Sequence, residues 1–253
     1  MSRLVIFNET FASVREDNDF VVLWHEGIAG RKATDVASAY VKCVNTCGKN
    51  HVIMGADNCT AQNKNWYLFS LLCWCVNQPW GPLTIVVKYL ERGHTYMRAD
   101  SVHGSIGRRL NRCSEVRNFD EFVEISDKSA KAIKPICLLP SDNYKYSKMH
   151  RTRSSKAVVL PKLGEISVAK FEKGSRELIY KLTFAGEEKK VQFLKKTTDL
   201  TKSIPVLEGP RGINTVKKSG LIKLIKSFPA SKQKFWHDLV VNDENPDLVT
   251  VRE

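Results

Sequence analysis

The chain has 253 residues, 42% hydrophobic and 26% charged, the balance of a globular rather than a disordered protein and enough for one large domain or two ordinary ones. Lys and Arg number 40 against 27 Asp and Glu, and the resulting +13 points to a polyanionic partner, nucleic acid ahead of an anionic membrane. No apolar run nears the roughly 18 residues a membrane span needs, and MSRLVIFNET has too short an apolar core for a secretory signal, so the expected location is nuclear or cytoplasmic.

In chain order, residues 3–12 alternate apolar and polar, and after a polar turn residues 20–24 form a second strand, so an antiparallel hairpin is expected. A helix follows from about Thr34 to Cys47, with Val36, Ala37, Tyr40, Val41 and Val44 at helical spacing and Gly48 as its stop. The continuous apolar run of His51 to Ala56 predicts a strand buried on both faces. Residues 62–77, crowded with Trp66, Leu68, Phe69, Leu71, Leu72 and Trp74, predict a central helix. Pro79, Gly81 and Pro82 break it before a strand over 83–90, and a helix beginning near Arg98 or Asp100 runs to about Asn111. A short amphipathic piece covers 120–125. Residues 134–156 read as an irregular, basic linker between domain 1–133 and a smaller α+β region, 157–242. That region holds three alternating segments at 165–171, 177–184 and 189–194, expected as a β-meander, then helices over 216–228 and 232–240; 243–253 is an acidic tail.

The seven cysteines, at 43, 47, 59, 73, 75, 113 and 137, lie mostly in apolar surroundings and suit buried thiols better than a disulfide framework; their spacing does not suit structural zinc.

Two stretches carry chemistry: HVIMGADNCTAQNKN from His51 and GHTYMRADSVHGSI from Gly93. Asp57 follows the apolar strand, at the rim where open α/β sheets display their functional groups. It suits a ligand for a divalent metal acting on a phosphodiester; its bland alternative is an Asx turn or helix cap. Asn58, Gln62, Asn63, Lys64 and Asn65 form a polar cluster whose carboxamides suit phosphate oxygens or base edges, or simply a polar loop before a helix. Asp100 and His103 share a helix face, with His94 in the preceding turn. Asp100 suits a second metal ligand, the histidines suit proton transfer or phosphate contact, and Asp100 could equally cap its helix. Arg108 and Arg109 on the same helix suit a nucleic-acid backbone or a solvated face. No nucleophile elbow and no glycine-rich phosphate loop is present.

GADNCTAQNKN, followed by a strand and then GHTYMRADSVHGSI, resembles the signature of a domain widespread in animals and associated with transposon-derived proteins. LWHEGIAGRKATDVASAY upstream and RGINTVKKSGLIKLIKSFPASKQKFWHDL downstream are similar to flanking segments of that family, with Asp35 standing where a Glu is expected. The resemblance implies a ribonuclease H-like α/β fold, a mixed sheet with flanking helices, of the DDE-type transposase or integrase kind. It implies that Asp57 and Asp100 are the second and third acids of a Mg²⁺ (or Mn²⁺) site acting on DNA, with His103 beside them. The first acid belongs on a strand preceding the hairpin. That strand is expected to be missing here, with Glu9 or Glu26 as substitutes, so that activity is impaired; the alternative is an inactive transposon-derived module that binds nucleic acid or protein. Homo-oligomerisation stays open.

Overall fold

The computed structural model describes residues 3–15, 18–59, 62–90, 97–146, 148–155 and 158–244. It is a mixed α/β protein whose chain divides into two compact units, Met1–Arg31 with Tyr96–Asn143 and Val206–Glu253, and Lys32–Thr95 with Tyr144–Pro205. No helix among the described residues is long and apolar enough to cross a membrane.

The first unit holds a three-stranded sheet in the order β1-β2-β5. β1 (Ile6–Phe11) and β2 (Asp19–His25) form the expected antiparallel pair, with Ile6 opposite His25. β5 (Ile133–Cys137) runs parallel to β2 and lies in the stretch expected to be irregular. Pro135 hides it in the sequence, because a proline cannot donate to a ladder; it is tolerated because β5 is an edge strand. Helices α3 (Arg98–Leu110) and α4 (Phe119–Asp127) send Val102, Ile106 and Phe119 against Val21, Leu23 and Ile133 to form the core. Helices α5 (Thr215–Leu224) and α6 (Ala230–Asp238) add a second cluster of Ile213, Leu221 and Leu239. α5 is shorter than its lysine-rich pattern suggests: it gives way to a 3₁₀ turn at Ile225–Ser227, ahead of Pro229.

The second unit holds a five-stranded sheet in the order β3-β4-β6-β7-β8. β3 (His51–Ala56) and β4 (Thr84–Tyr89) are parallel, and β6 (Val168–Glu172), β7 (Leu178–Lys181) and β8 (Lys189–Val191) continue as the expected antiparallel meander. The meander is not a separate layer, since β6 pairs antiparallel with β4, Val87 opposite Ala169.

Among the described residues the α-helices of this unit are α1 (Ala33–Cys47) and α2 (Trp66–Val76), packed against each other. α2 also meets β4 and β6, with the Phe69 and Phe171 rings 5.6 Å apart. Every residue of α2 from Leu68 to Val76 is buried, which is why its sequence is apolar on all sides. The close approach at the end of α2 requires Gly81, where a Cβ would stand 1.9 Å from the Cys75 carbonyl oxygen.

β3 departs from expectation. Its residues alternate in exposure, and Ile53 is 68% exposed. A mixed sheet with one face covered needs only alternate side chains buried, and an edge strand is shielded least.

Each of the seven cysteines is a thiol, none being half of a disulfide, and burial raises the Cys73 and Cys75 pKa values to about 12, so both stay protonated.

Candidate functional site

Asp57 sits immediately after β3. Its Oδ1 accepts the Cys59 amide at 3.1 Å and the Asn63 side-chain amide at 2.5 Å, an Asx turn reinforced from six residues downstream. The turn tightens because the Cys59 carbonyl accepts the amides of Gln62, Asn63 and Lys64. These bonds delay the start of α2 from the expected Gln62 to Trp66, where Asn65 caps the helix by accepting the Leu68 amide at 2.9 Å.

The polar cluster is largely internal. Asn63, 8% exposed, accepts the Tyr40 hydroxyl at its side chain (3.1 Å) and the Tyr89 hydroxyl at its carbonyl (2.7 Å). Lys64 is 1% exposed; its ammonium donates to Asn58 Oδ1 at 2.7 Å and the Gly164 carbonyl at 3.2 Å, and lies 4.7 Å from the Tyr89 ring centre. Asn58 Nδ2 donates to the Leu90 carbonyl, tying the loop to the end of β4. Asn58, Asn63, Lys64 and Asn65 therefore hold the rim of the sheet together, and Gln62 lies half-buried in the same turn. Sequence alone cannot separate this role from phosphate contact, because both need the same donors and acceptors.

Asp100 lies in the first turn of α3, in the other unit. Its Oδ2 accepts the Met97 amide at 2.7 Å, half of a capping box, and its side chain is exposed. His103, one turn on, is exposed, with Nδ1 3.4 Å from Asn8 Nδ2. Arg108 and Arg109 continue the exposed face, Arg108 donating to Ser105 Oγ at 2.9 Å. His94 lies outside the described residues. Among the described residues, no group of three or more His, Cys, Asp or Glu side chains is arranged to hold a metal ion.

Three further features have little or no sequence signature. In the first unit Glu26 is 5% exposed; its carboxylate accepts the Val5 amide at 2.7 Å and pairs with Lys217 Nζ at 2.7 Å, across 191 positions of sequence. Beside it, a cleft of about 350 Å³ is lined by His25, Asn118, Asp120, Ser231, Lys234 and Phe235 among others. His25 is buried between the rings of Phe119 and Phe235, its Nδ1 without a hydrogen-bond partner, and burial lowers its pKa to about 4, so the ring is neutral. In the second unit, Arg151, Arg176, Gln192, Leu194 and Lys196 line a cleft of about 150 Å³.

No curated protein and no solved structure matches the chain. One family model matches residues 41–199, from the middle of α1 to just past β8, which takes in the Asp57 loop, Asp100 and the whole five-stranded sheet. The chain therefore belongs to the family described as a domain of unknown function, DUF7869.

Proposed function

We propose that the chain is a transposase- or integrase-like protein of ribonuclease H-like type, in which Asp57 and Asp100 supply two of the carboxylates that hold Mg²⁺ or Mn²⁺ for phosphodiester chemistry on DNA. The supporting observation is the order and sense of the elements: an antiparallel hairpin, a helix, and two parallel strands joined through α2, with Asp57 just past β3 and Asp100 opening the helix after β4.

The donor set fits the metal by type, since hard divalent cations take carboxylate oxygens. When bound, the ion would lower the pKa of an attacking water or hydroxyl and neutralise charge on the phosphoryl oxygens. This chain's own residues prepare for that. Asn63 fixes the Asp57 carboxylate by binding one oxygen, as outer-shell amides do. The Met97 amide does the same for Asp100, and His103 stands one turn along as a proton carrier.

The test is nicking of supercoiled DNA in Mg²⁺, Mn²⁺ or EDTA by wild type, Asp57→Ala and Asp100→Ala. Metal-dependent nicking that falls about 100-fold or more in each variant supports the reading. Equal, metal-independent behaviour of all three proteins ends it.

A second reading is an inactive module that binds nucleic acid or protein. It is favoured by the local bonds of the acids: Asp57 closes an Asx turn and Asp100 caps a helix, roles that need no metal. DNA binding that is equal in wild type and Asp57→Ala, without nicking, is its signature.

A further inference from the structure

We propose that the small basic cleft of the second unit, lined by Arg151, Arg176 and Lys196, is a phosphate site for a nucleic-acid backbone. It stands whether or not Asp57 and Asp100 hold a metal.

Two acid-free basic segments line it together with Arg176 from the β6–β7 turn. Residues 145–155 carry Lys145, Lys148, Arg151 and Arg153, and residues 189–196 carry Lys189, Lys190, Lys195 and Lys196. An antiparallel bridge between His150 and Leu194 joins them, with the Arg151 amide donating to the Phe193 carbonyl at 2.7 Å and the Lys195 amide to the Met149 carbonyl at 2.8 Å. The stretch expected to be a linker is thus packed structure.

The guanidinium groups are positioned in advance. Arg176 donates to the carbonyls of Thr198 (2.6 Å) and Lys195 (3.0 Å), and Arg151 Nε to the carbonyl of Gln192 (3.1 Å). Backbone carbonyls fix these groups without neutralising them. Among the described residues no carboxylate pairs with Arg151, Arg176, Lys195 or Lys196. A surface arginine ordinarily loses rotamer freedom when it grips an anion; these two have already lost much of it. Two planar guanidinium forks and an ammonium around about 150 Å³ match one tetrahedral oxyanion.

The neighbourhood favours a polymer over a lone phosphate. Lys148, Arg153, Lys189, Lys190 and Lys195 are exposed and lie within a few residues, along the sequence, of residues that line the cleft, a density of cations that suits a polyanion. The local field is felt inside the fold too. His150, buried and stacked on Trp66, is held neutral at a pKa of about 4, by burial first and by Lys195 and Lys148 in addition.

The experiment uses the full chain in EDTA, with fluorescence anisotropy of a labelled oligonucleotide of about 20 nucleotides, single-stranded and duplex, across a salt series. Lys196→Glu is compared with Lys223→Glu, which makes the same charge change at an exposed position on α5. Both positions are exposed, so unchanged thermal unfolding serves as the folding control. Lys196→Glu is expected to weaken binding about tenfold at roughly 0.1 M salt and lower the log–log salt slope by about 1, with Lys223→Glu within about twofold of wild type. Equal effects of the two substitutions, or none, overturn the proposal. Inorganic phosphate or pyrophosphate binding as tightly as the oligonucleotide assigns the cleft to a small phosphorylated ligand and overturns the nucleic-acid assignment. Because no metal is present, failure here leaves the nicking test standing, and the reverse holds.

Discussion

Asn63 Nδ2 donates to Asp57 Oδ1 at 2.5 Å while Asn63 Oδ1 accepts the hydroxyl of Tyr40, so one buried carboxamide links the candidate metal ligand to helix α1. The rim carboxylate is consequently positioned from the interior, by a residue whose own placement depends on packing.

Asn63→Ala withdraws a donor from Asp57 and an acceptor from the buried Tyr40 hydroxyl. The expected cost is about 2–3 kcal/mol, read as a lower urea midpoint with an unchanged slope. A variant within about 0.5 kcal/mol of wild type would show that the loop is held by its backbone bonds alone.

Glu26 and Lys217 form a pair whose side chains are 5% and 14% exposed. Lys217→Met strands a buried carboxylate and is expected to cost about 3–5 kcal/mol. Adding Glu26→Gln keeps an acceptor for the Val5 amide and removes the stranded charge, so the double variant should regain most of the loss. Additive losses in urea denaturation would mean the two residues act separately.

Stability should fall in mild acid. Burial lowers the folded-state pKa of His25 to about 4 from an ordinary 6.5, and that of His150 likewise to about 4. Between those values the unfolded chain binds protons that the folded chain refuses. The stabilisation is therefore fully present above about pH 6.5 and is lost as pH falls toward about 4, with His25 contributing about 3 kcal/mol across the window. Urea midpoints between about pH 7.5 and about pH 4 should show the decline, and His25→Leu should flatten it. An unchanged slope in that variant would place the proton uptake elsewhere.

Much of the layout is legible along the chain because it rests on local chemistry. The short apolar run from Val52 to Ala56 marks a strand, and Gly48 at φ 59° stops α1 in the left-handed cap that glycine adopts most readily. The hairpin and the meander follow from alternation and turn residues in the same way. Candidate residues were readable too, as types: acids after a strand and at a helix start, with amides between them.

What those residues do was decided by partners far away in sequence. Lys64 reads as a surface cation until Tyr89 and the Gly164 carbonyl enclose it, and Arg151 reads as linker until Phe193 and Gln192 fix it. Pro135 argues against a strand until β2 offers an edge, and the apolar β3 keeps Ile53 outside because it ends its sheet. Periodicity reports which elements form, since backbone preference and apolar spacing act over a few residues. Burial, pairing and charge compensation depend on contacts across tens to a hundred or more positions, and only the folded chain supplies them.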